Sequence, residues 1–276
     1  MEFNFENGEV KLSMQGYINE IMKHIDISKI SNKNVTCPHT SELFKINYDS
    51  KQLSEKQKKL FHTITAKLLY LSKRVRPDIS VDVAFFTRRV NDPNEDDLRK
   101  LVKCMLYLNY TKEKCLILKY DEERKIWASI DAAYGVHSDY RSHSGCEINS
   151  GDGSYYTSST ALKHVVKSSY EAEIVALSNY LSHAIFFSNF LLSIDEKHNL
   201  TIFQDNMAVL RTVQGGLSSN LRAKHISIRL AWIQDLVKSG RLELRYCPTE
   251  EMLADILTKP LVGKSFERLS KKLLNN

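Results

Sequence analysis

The spacing of apolar residues changes near Cys115, and this change constrains the fold more than any other feature of the sequence. Upstream of it, apolar residues such as Ile64 and Leu68 recur with the period of an amphipathic helix. Downstream of it, short segments rich in β-branched and aromatic residues, such as KIWASID and SYYTSS, are separated by polar turns. The sequence therefore predicts a mostly helical first part and a second part that begins with strands.

The second part continues with helices and strands in alternation. Its predicted elements are a long helix from Tyr170, a strand at 200–205, helices at 207–213 and 224–240, a strand at 241–247 and a last helix from Thr249. A strand meander followed by alternating strands and helices predicts an α/β fold with a mixed sheet covered by helices. We place a boundary near residue 120, which divides the chain into a first segment, 1–120, and a second domain, 121–276.

The composition of the 276-residue chain is that of a globular protein, with 42% hydrophobic and 26% charged residues. No run approaches the roughly 18 apolar residues that cross a bilayer. The acidic, polar N-terminus does not resemble a secretory signal. The five cysteines are widely spaced and form no C-x-x-C pair, which is typical of reduced thiols and argues against a zinc site. We therefore expect an intracellular protein without a membrane partner.

The net charge of +6 lies in the first segment. Residues 1–120 hold 21 Lys and Arg against 15 Asp and Glu, and the remaining 18 basic and 18 acidic residues balance. A basic first segment is compatible with a polyanion that is held mostly by that segment. Solvated lysines on helix faces account for the same charge, so the charge alone leaves both interpretations open.

Acidic residues in the second part recur at the ends of predicted strands and in the early turns of predicted helices. They are Asp131 after KIWASI, Glu173 in the long helix, Asp205 after TIFQ, and Asp255 in the last predicted helix. Clustered carboxylates repel one another unless a cation neutralises them, and Mg²⁺ prefers oxygen ligands. Two such ions can activate water for phosphodiester hydrolysis. Each acid alone also fits a turn or a helix start, but their strand–helix–strand–helix order favours a metal site.

Two glutamates at the start of the long helix have different predicted roles. The residues Ser168 to Glu171 fit the S-x-x-E pattern of a capping box, in which the glutamate reaches back to the N-cap amide. Glu173 is rotated by about 200° from Glu171 around the helix axis and cannot share that role. It lies on the apolar stripe with Leu177 and Tyr180, where a carboxylate is costly unless it is paired or binds a metal. We therefore predict a structural Glu171 and a catalytic Glu173.

Several sequence blocks resemble the ribonuclease H domain of copia/Ty-type LTR retrotransposon Pol polyproteins. The blocks are DAAYG (131–135), SYEAEIVAL (169–177), FQDNMAVL (203–210), KHISIR (224–229) and YCPTEEMLADILTKPL (246–261). The last block is the most specific of them. Upstream, residues 68–93 resemble the segment that follows the polymerase palm in these reverse transcriptases. The resemblance covers the chain from about residue 10 to residue 270.

This resemblance implies a ribonuclease H-like fold, with a five-stranded mixed sheet and helices, and cleavage of the RNA strand of an RNA–DNA hybrid. By position, the catalytic and metal-binding acids would be Asp131, Glu173, Asp205 and Asp255. They would hold two Mg²⁺ ions, for which Mn²⁺ can substitute. The expected partners are the hybrid and the rest of a Pol polyprotein, in the cytoplasm (a virus-like particle) or the nucleus.

The resemblance also suggests residues that would contact the nucleic-acid backbone. They are Asn206, Arg141, Ser142, Lys224 and His225. Asn206 lies beside a predicted metal ligand and could donate to a sugar or a phosphate. For His225, a local partner at the helix N-terminus is the competing interpretation.

The chain departs from the reverse transcriptase pattern in one respect. The Tyr-x-Asp-Asp turn of a polymerase palm is absent, and the nearest string is Tyr120-Asp121-Glu122-Glu123. We therefore expect no DNA synthesis by this chain alone, and we interpret the first segment as thumb-like or connection-like.

Three functional hypotheses remain open at this point. The first is an active ribonuclease H, and the second is a catalytically silent, nucleic-acid-binding remnant of a Pol protein. Four intact acids favour the enzyme. An integrase-like nuclease of the same fold is a third hypothesis, against which the YCPTEEMLADILTKPL block argues. The oligomeric state is not predicted by the sequence.

Overall fold

The computed structural model describes residues 2–6, 9–25, 34–119, 125–194, 199–215 and 224–276. The chain forms two compact units, which are described separately below. The first unit comprises Met1–Leu118 with Lys259–Asn276, and the second comprises Lys119–Thr258.

Helices and strands are numbered in chain order. The helices are α1 (Gln15–Met22), α2 (Glu55–Ser72), α3 (Ser80–Arg89), α4 (Glu95–Tyr110), α5 (Ser169–Ile194), α6 (Met207–Gly215), α7 (Lys224–Lys238), α8 (Asp255–Thr258) and α9 (Gly263–Leu274). The strands are β1 (Glu2–Glu6), β2 (Glu9–Ser13), β3 (Leu116–Lys119), β4 (Lys125–Ala133), β5 (His143–Asn149), β6 (Tyr156–Ala161), β7 (Asn199–Gln204) and β8 (Glu243–Tyr246). Short 3₁₀ turns span Pro77–Ile79 and Thr249–Glu251.

The second unit is built on a five-stranded mixed sheet with the strand order β6-β5-β4-β7-β8. β4 pairs antiparallel with β5, and β5 pairs antiparallel with β6. β4 pairs parallel with β7, and β7 pairs parallel with β8. An antiparallel meander extended by two parallel strands is the ribonuclease H-like sheet, so the predicted fold class is confirmed.

The core of the second unit lies between this sheet and α5. Alternate residues of β4, namely Ile126, Ala128 and Ile130, are fully buried, as the period of two predicts. Residues 172–177 of α5 are buried without interruption. Among the described residues, α5 is long and apolar enough to cross a membrane, but this buried stretch is typical of a core helix.

The last predicted helix, from Thr249, is wrong in its extent. The structure divides this region into the 3₁₀ turn, α8 and α9. Met252 adopts extended backbone angles (φ −62°, ψ 103°) and ends the 3₁₀ turn. Pro260 follows α8, and the residue before a proline disfavours the helical conformation. These two breaks let Asp255 begin a separate short helix.

The first unit is mostly helical, as its spacing of apolar residues predicts. Ser54 and Gln57 form a capping box at the start of α2, and Asn94 and Asp97 form another at the start of α4. Such caps satisfy backbone N–H groups that have no partner inside the helix. The sequence thus fixes the starts of both helices locally.

A three-stranded sheet in the first unit was not predicted. Its strand order is β1-β2-β3, with β1 antiparallel to β2. The sequence contains two overlooked signals. Asn7-Gly8 is a common hairpin dipeptide, and EVKLS (9–13) alternates polar and apolar residues. Residues 7–8 lie outside the described residues.

Residues 259–276 group with the first unit, whereas the sequence analysis assigned 121–276 to one domain. The reason is the apolar face of α9. Phe266 packs edge-on against Tyr107 of α4, with ring centroids 5.7 Å apart, and against His39 at 5.5 Å. Leu269 and Leu273 on the same helix are also buried. The apolar stripe of α9 is therefore satisfied by the first unit.

A buried ion pair ties together the end of α2, the first 3₁₀ turn and α4. Arg76 and Asp78 are both buried, and the guanidinium donates from Nε and Nη2 to the two carboxylate oxygens at 2.9 and 2.8 Å. Tyr107 Oη donates to Asp78 Oδ2 at 2.6 Å, and Arg76 Nη1 donates to the carbonyl of Thr111 at 3.0 Å. Burial opposes ionisation of Asp78, but Arg76 lowers its pKa overall. Such bidentate pairs fix geometry as well as charge.

A second buried pair holds the C-terminal segment to the first unit. His39 Nδ1 lies 2.9 Å from Asp82 Oδ2 on α3, and His39 Nε2 lies 2.7 Å from the carbonyl oxygen of Leu261. A doubly protonated imidazole can donate to both acceptors. Burial alone would lower the pKa of His39, but Asp82 raises it to about 10. His39 is therefore charged at neutral pH.

We predict that His39→Gln destabilises the first unit by about 3–5 kcal/mol, because it leaves the buried Asp82 without its cation. The pKa of His39 is raised from 6.5 to about 10 in the folded chain. The contribution of the pair is therefore complete below pH 6.5 and is lost as the pH rises through about 10. Urea denaturation across this pH range, followed by circular dichroism, measures it.

The control for this experiment is His62→Gln, which changes an exposed histidine on α2. It should leave the pH dependence of the wild type unchanged. Parallel pH dependences in the wild type and His39→Gln would contradict the assignment.

Candidate metal centre

The parallel strands β4 and β7 bring two aspartates to the same edge of the sheet. Ser129 of β4 pairs with Phe203 of β7, so Asp131 and Asp205, two residues further along each chain, lie level. Asp131 lies inside β4 near its end, and Asp205 follows β7 directly. The sequence placed both acids at strand ends, and for Asp131 the strand continues for two more residues.

A third aspartate, Asp255, joins them from the start of α8. One oxygen from each of Asp131, Asp205 and Asp255 lies within 4.8 Å of the other two. Asp131 and Asp255 are buried, and Asp205 is half-buried. A hard cation with metal–oxygen distances of about 2.0–2.6 Å can bridge oxygens at this spacing. The donor set, which is all carboxylate, therefore fits Mg²⁺ or Mn²⁺.

Glu173 is not part of this group of three oxygens, but it is buried and close enough to Asp131 and Asp205 for their charges to act on it. Gln204 Nε2 donates to its Oε2 at 3.3 Å, and the N–H of Ala132 donates to it as well. Burial, together with the negative charges of Asp131 and Asp205, raises the pKa of Glu173 well above its usual range. The negative charges of Asp131 and Asp205 thus act on the Glu173 carboxyl, and a bound divalent cation would offset them.

Two threonines that the sequence analysis overlooked orient the aspartates. Thr258 Oγ1, fully buried at the end of α8, donates a hydrogen bond to Asp131 Oδ2. Thr249 Oγ1 donates to Asp205 Oδ2 at 3.0 Å. Both threonines lie within the YCPTEEMLADILTKPL block, which was the only available signal. Each hydrogen bond restricts the orientation of one carboxylate of the cluster.

The approach of α8 to the sheet depends on Gly145. This residue pairs with Asp131 across β4 and β5. A Cβ atom at position 145 would lie 2.7 Å from Thr258 Cγ2 and 2.8 Å from Leu257 Cβ. Side chains do not tolerate such distances. Glycine at this position therefore lets α8 place Thr258 against Asp131.

Glu171 has a capping role, as predicted, with a shift of one residue. Its backbone N–H donates to Ser168 Oγ at 3.1 Å. Its carboxylate accepts from the N–H of Lys167 at 2.8 Å, whereas the sequence analysis expected the N-cap amide. Partial burial works against ionisation, but the hydrogen bonds from Lys167 and His225 lower the pKa of Glu171. Glu171 and Glu173 thus differ as the helix geometry predicts.

Three of the predicted backbone-contacting residues lie at the starts of α6 and α7. Asn206 Oδ1 accepts from the N–H groups of Ala208 and Val209 at 3.0 and 3.2 Å, so it caps α6. Lys224 is exposed at the start of α7. His225 Nε2 lies 3.1 Å from Glu171 Oε1, which is the local partner that the competing interpretation required.

The other two lie between β4 and β5. Arg141 is half-buried and forms an ion pair with Asp139 at 3.4 Å. Ser142 is fully buried, and its Oγ accepts from the N–H of Gly135 at 3.1 Å. The Ser142 side chain is therefore unavailable to a backbone phosphate, and its expected role is corrected. The turn between β4 and β5 buries Ser142, and the sequence did not predict the geometry of this turn.

Comparison with known proteins finds sequence relatives among transposon proteins. The chain is 31% identical over 216 residues to the retrovirus-related Pol polyprotein from transposon RE2 of Arabidopsis thaliana, covering 77% of the chain and 15% of the relative. It is 29% identical over 265 residues to that of transposon RE1 from the same plant, covering 95% and 18%. It is 21% identical over 286 residues to the Ty1-DR6 Gag-Pol polyprotein of Saccharomyces cerevisiae, covering 100% and 16%. The chain thus spans less than a fifth of each of these relatives.

Solved structures resemble the chain at lower identity. A ribonuclease H1 from Halobacterium salinarum is 18% identical, with a TM-score of 0.37, and covers 49% of this chain and 94% of its own. A foamy viral protease-reverse transcriptase in complex with double-stranded DNA is 12% identical, with a TM-score of 0.49, and covers 90% and 38%. At these scores the fold assignment rests on the strand order described above.

No protein-family model matches the chain. The sequence relatives are nevertheless members of the group of transposon Pol polyproteins that the sequence motifs indicate. The chain is a homologue of the retrovirus-related Pol polyproteins of transposons and corresponds to one segment of them, as its motifs predicted.

Proposed function

We propose that this chain is a metal-dependent ribonuclease H, which hydrolyses the RNA strand of an RNA–DNA hybrid during retrotransposon reverse transcription. The observation that carries the proposal is the convergence of Asp131, Asp205 and Asp255, with Glu173 beside them, on a sheet of ribonuclease H-like topology. Homology to transposon Pol polyproteins supports the biological setting. The proposed substrate follows from the fold and this homology together.

The acids would hold two Mg²⁺ ions, for which Mn²⁺ can substitute. Bound ions of this kind activate a water molecule and stabilise the leaving oxygen of a phosphodiester. The side chains of this protein would determine where the ions bind. Thr258 and Thr249 each donate to one oxygen of an aspartate, and these hydrogen bonds would hold Asp131 and Asp205 in position as ligands. Supporting hydrogen bonds of this kind tune metal ligands and restrict their rotation.

Substrate contacts would come from polar side chains of the second unit. Lys224 is exposed, Arg141 is half-buried, and Asn206 adjoins Asp205 in the sequence. A hybrid-cleaving enzyme recognises backbone shape and 2′-hydroxyls rather than base sequence. Contacts from these side chains to phosphates and sugars would therefore serve to bind the substrate. We also propose that the basic, thumb-like or connection-like first segment helps to hold the duplex.

The first prediction of this proposal concerns cleavage itself. The full chain should cut the labelled RNA strand of a hybrid with Mg²⁺ or Mn²⁺ and should not cut it with EDTA. Asp205→Asn should lower the rate by at least about a hundredfold, because it removes one anionic ligand. Gel analysis of both strands checks this. An uncleaved hybrid that remains bound in every metal would instead indicate the silent binding remnant.

A second prediction separates the two glutamates. Glu173→Gln should abolish cleavage, because Glu173 lies beside the aspartates. Glu171→Gln should retain cleavage and cost about 1 kcal/mol of stability at most, as for a lost cap interaction. Rates on the hybrid and urea denaturation midpoints are measured for both variants. Equal loss of activity, with neither variant destabilised, would reject this division of roles.

A third prediction concerns Thr258. Thr258→Val should destabilise the metal-free chain by about 1–3 kcal/mol, because it leaves a buried oxygen of Asp131 without its donor. It should also raise the Mg²⁺ concentration required for half-maximal cleavage, since Asp131 becomes free to rotate. Thr258→Ser keeps the hydroxyl and serves as the control. Indistinguishable metal requirements for the two variants would contradict an orienting role.

A further inference from the structure

A cleft of about 790 Å³ lies in the second unit beside the edge strand β6. Residues of β5, β6, the segment after β6, α5 and α7 line it, and all of them belong to the second unit. None of the four acids of the metal centre is among the lining residues. The volume is typical of a pocket for a small ligand.

The charge of this cleft is entirely positive. Lys163 and Arg229 line it together with His164 and His183, and no lining residue is Asp or Glu. Arg229 Nη1 donates to Ser178 Oγ at 3.0 Å and to an amide oxygen at 2.9 Å, which fixes the guanidinium without neutralising it. Within the described part of the chain, no carboxylate lies within salt-bridge distance of Arg229 or Lys163. The cleft therefore suits an anion.

Hydroxyl groups add hydrogen-bonding capacity to the same cleft. Tyr180 Oη lies 3.0 Å from Thr160 Oγ1, 3.1 Å from Ser158 Oγ and 3.3 Å from Ser144 Oγ. The Tyr180 side chain is buried, so this group is held in place. Ser144 and Ser158 are also buried, whereas Thr160 is exposed, so the Thr160 hydroxyl is the member of this group that can bind a phosphate or sugar oxygen.

An aromatic pair forms a further part of the lining. The rings of Tyr156 and His183 are stacked, with centroids 5.1 Å apart and an interplanar angle of 20°. His183 is exposed and Tyr156 is half-buried. Burial raises the pKa of Tyr156 to about 12, so its phenol stays neutral and does not repel an anion. Flat rings beside positive charge are the combination that binds unpaired nucleotides.

We propose that this cleft binds a nucleotide, with its phosphate against Lys163 and Arg229 and its base stacked on the Tyr156–His183 pair. An unpaired nucleotide of a nucleic-acid strand and a free mononucleotide share this chemistry. The bases of a duplex are stacked within the helix and cannot enter. The inference does not depend on the proposed ribonuclease activity, because the cleft and the metal centre share no lining residue.

The experiment compares three probes on the full chain. Adenosine 5′-monophosphate carries a phosphate and a base, ribose 5-phosphate carries the phosphate without the base, and a labelled single-stranded oligonucleotide represents the strand. Calorimetry measures the first two, and fluorescence anisotropy at several salt concentrations measures the third. The variants are Arg229→Gln and His183→Ala. The matched control is Arg241→Gln, which removes an exposed arginine outside the cleft.

Arg229→Gln should weaken binding of all three probes roughly tenfold, as expected for a lost charged hydrogen bond. It should also reduce the salt dependence of oligonucleotide binding by about one unit of slope. His183→Ala should weaken the nucleoside monophosphate several-fold, because stacking is lost. It should leave ribose 5-phosphate binding unchanged. Arg241→Gln should match the wild type.

The outcomes separate the two sources of the ligand. Binding of the oligonucleotide alone, with these variant effects, assigns the cleft to a strand, and binding of the monophosphate alone assigns it to a free nucleotide. Equal losses in Arg229→Gln and Arg241→Gln, or no binding of any probe, would overturn the proposal. Asp205→Asn should retain nucleotide binding, so failure of the ribonuclease proposal and failure of this one are distinguishable.

Discussion

The parallel pairing of β4 with β7 is the constraint on which the second unit depends. Parallel strands cannot be joined by a tight turn, so the chain between them must cross the sheet, and α5 provides the return. The same pairing places Asp131 and Asp205 level at one edge. The first turns of α5 then bring Glu173 to this edge. Strand topology thus assembles acids that are far apart in sequence.

Bringing these carboxyl groups together is electrostatically unfavourable, and the fold offsets only part of the cost. Threonine and glutamine donors hold individual oxygens. The raised pKa of Glu173 reports the repulsion that remains. Gly145 permits the close packing of α8 that completes the group. We propose that this arrangement holds a divalent cation, since buried carboxylates are costly unless a cation neutralises them.

The first unit is organised by two buried ion pairs, Arg76–Asp78 and His39–Asp82. The chain leaves this unit at Lys119, contributes the five-stranded sheet and α8, and rejoins the unit at Lys259. The YCPTEEMLADILTKPL block therefore spans both units. Its first residues orient Asp205, its middle supplies Asp255 and Thr258, and Leu261 accepts a hydrogen bond from His39. One continuous block of the sequence thus contributes to the acidic cluster of the second unit and to the packing of the first.

The sequence by itself determined most helices and strands, the α/β class and the candidate acids, because these follow from local periodicity, capping and the ends of apolar segments. Tertiary structure alone decided that Ser142 is buried, that α9 packs with the first unit, and that Thr258 reaches Asp131. Each of these depends on which surface a segment meets after the chain has folded back over many residues. The spacing of residues along a short segment does not predict these contacts, because contacts between distant segments depend on how whole helices and strands pack.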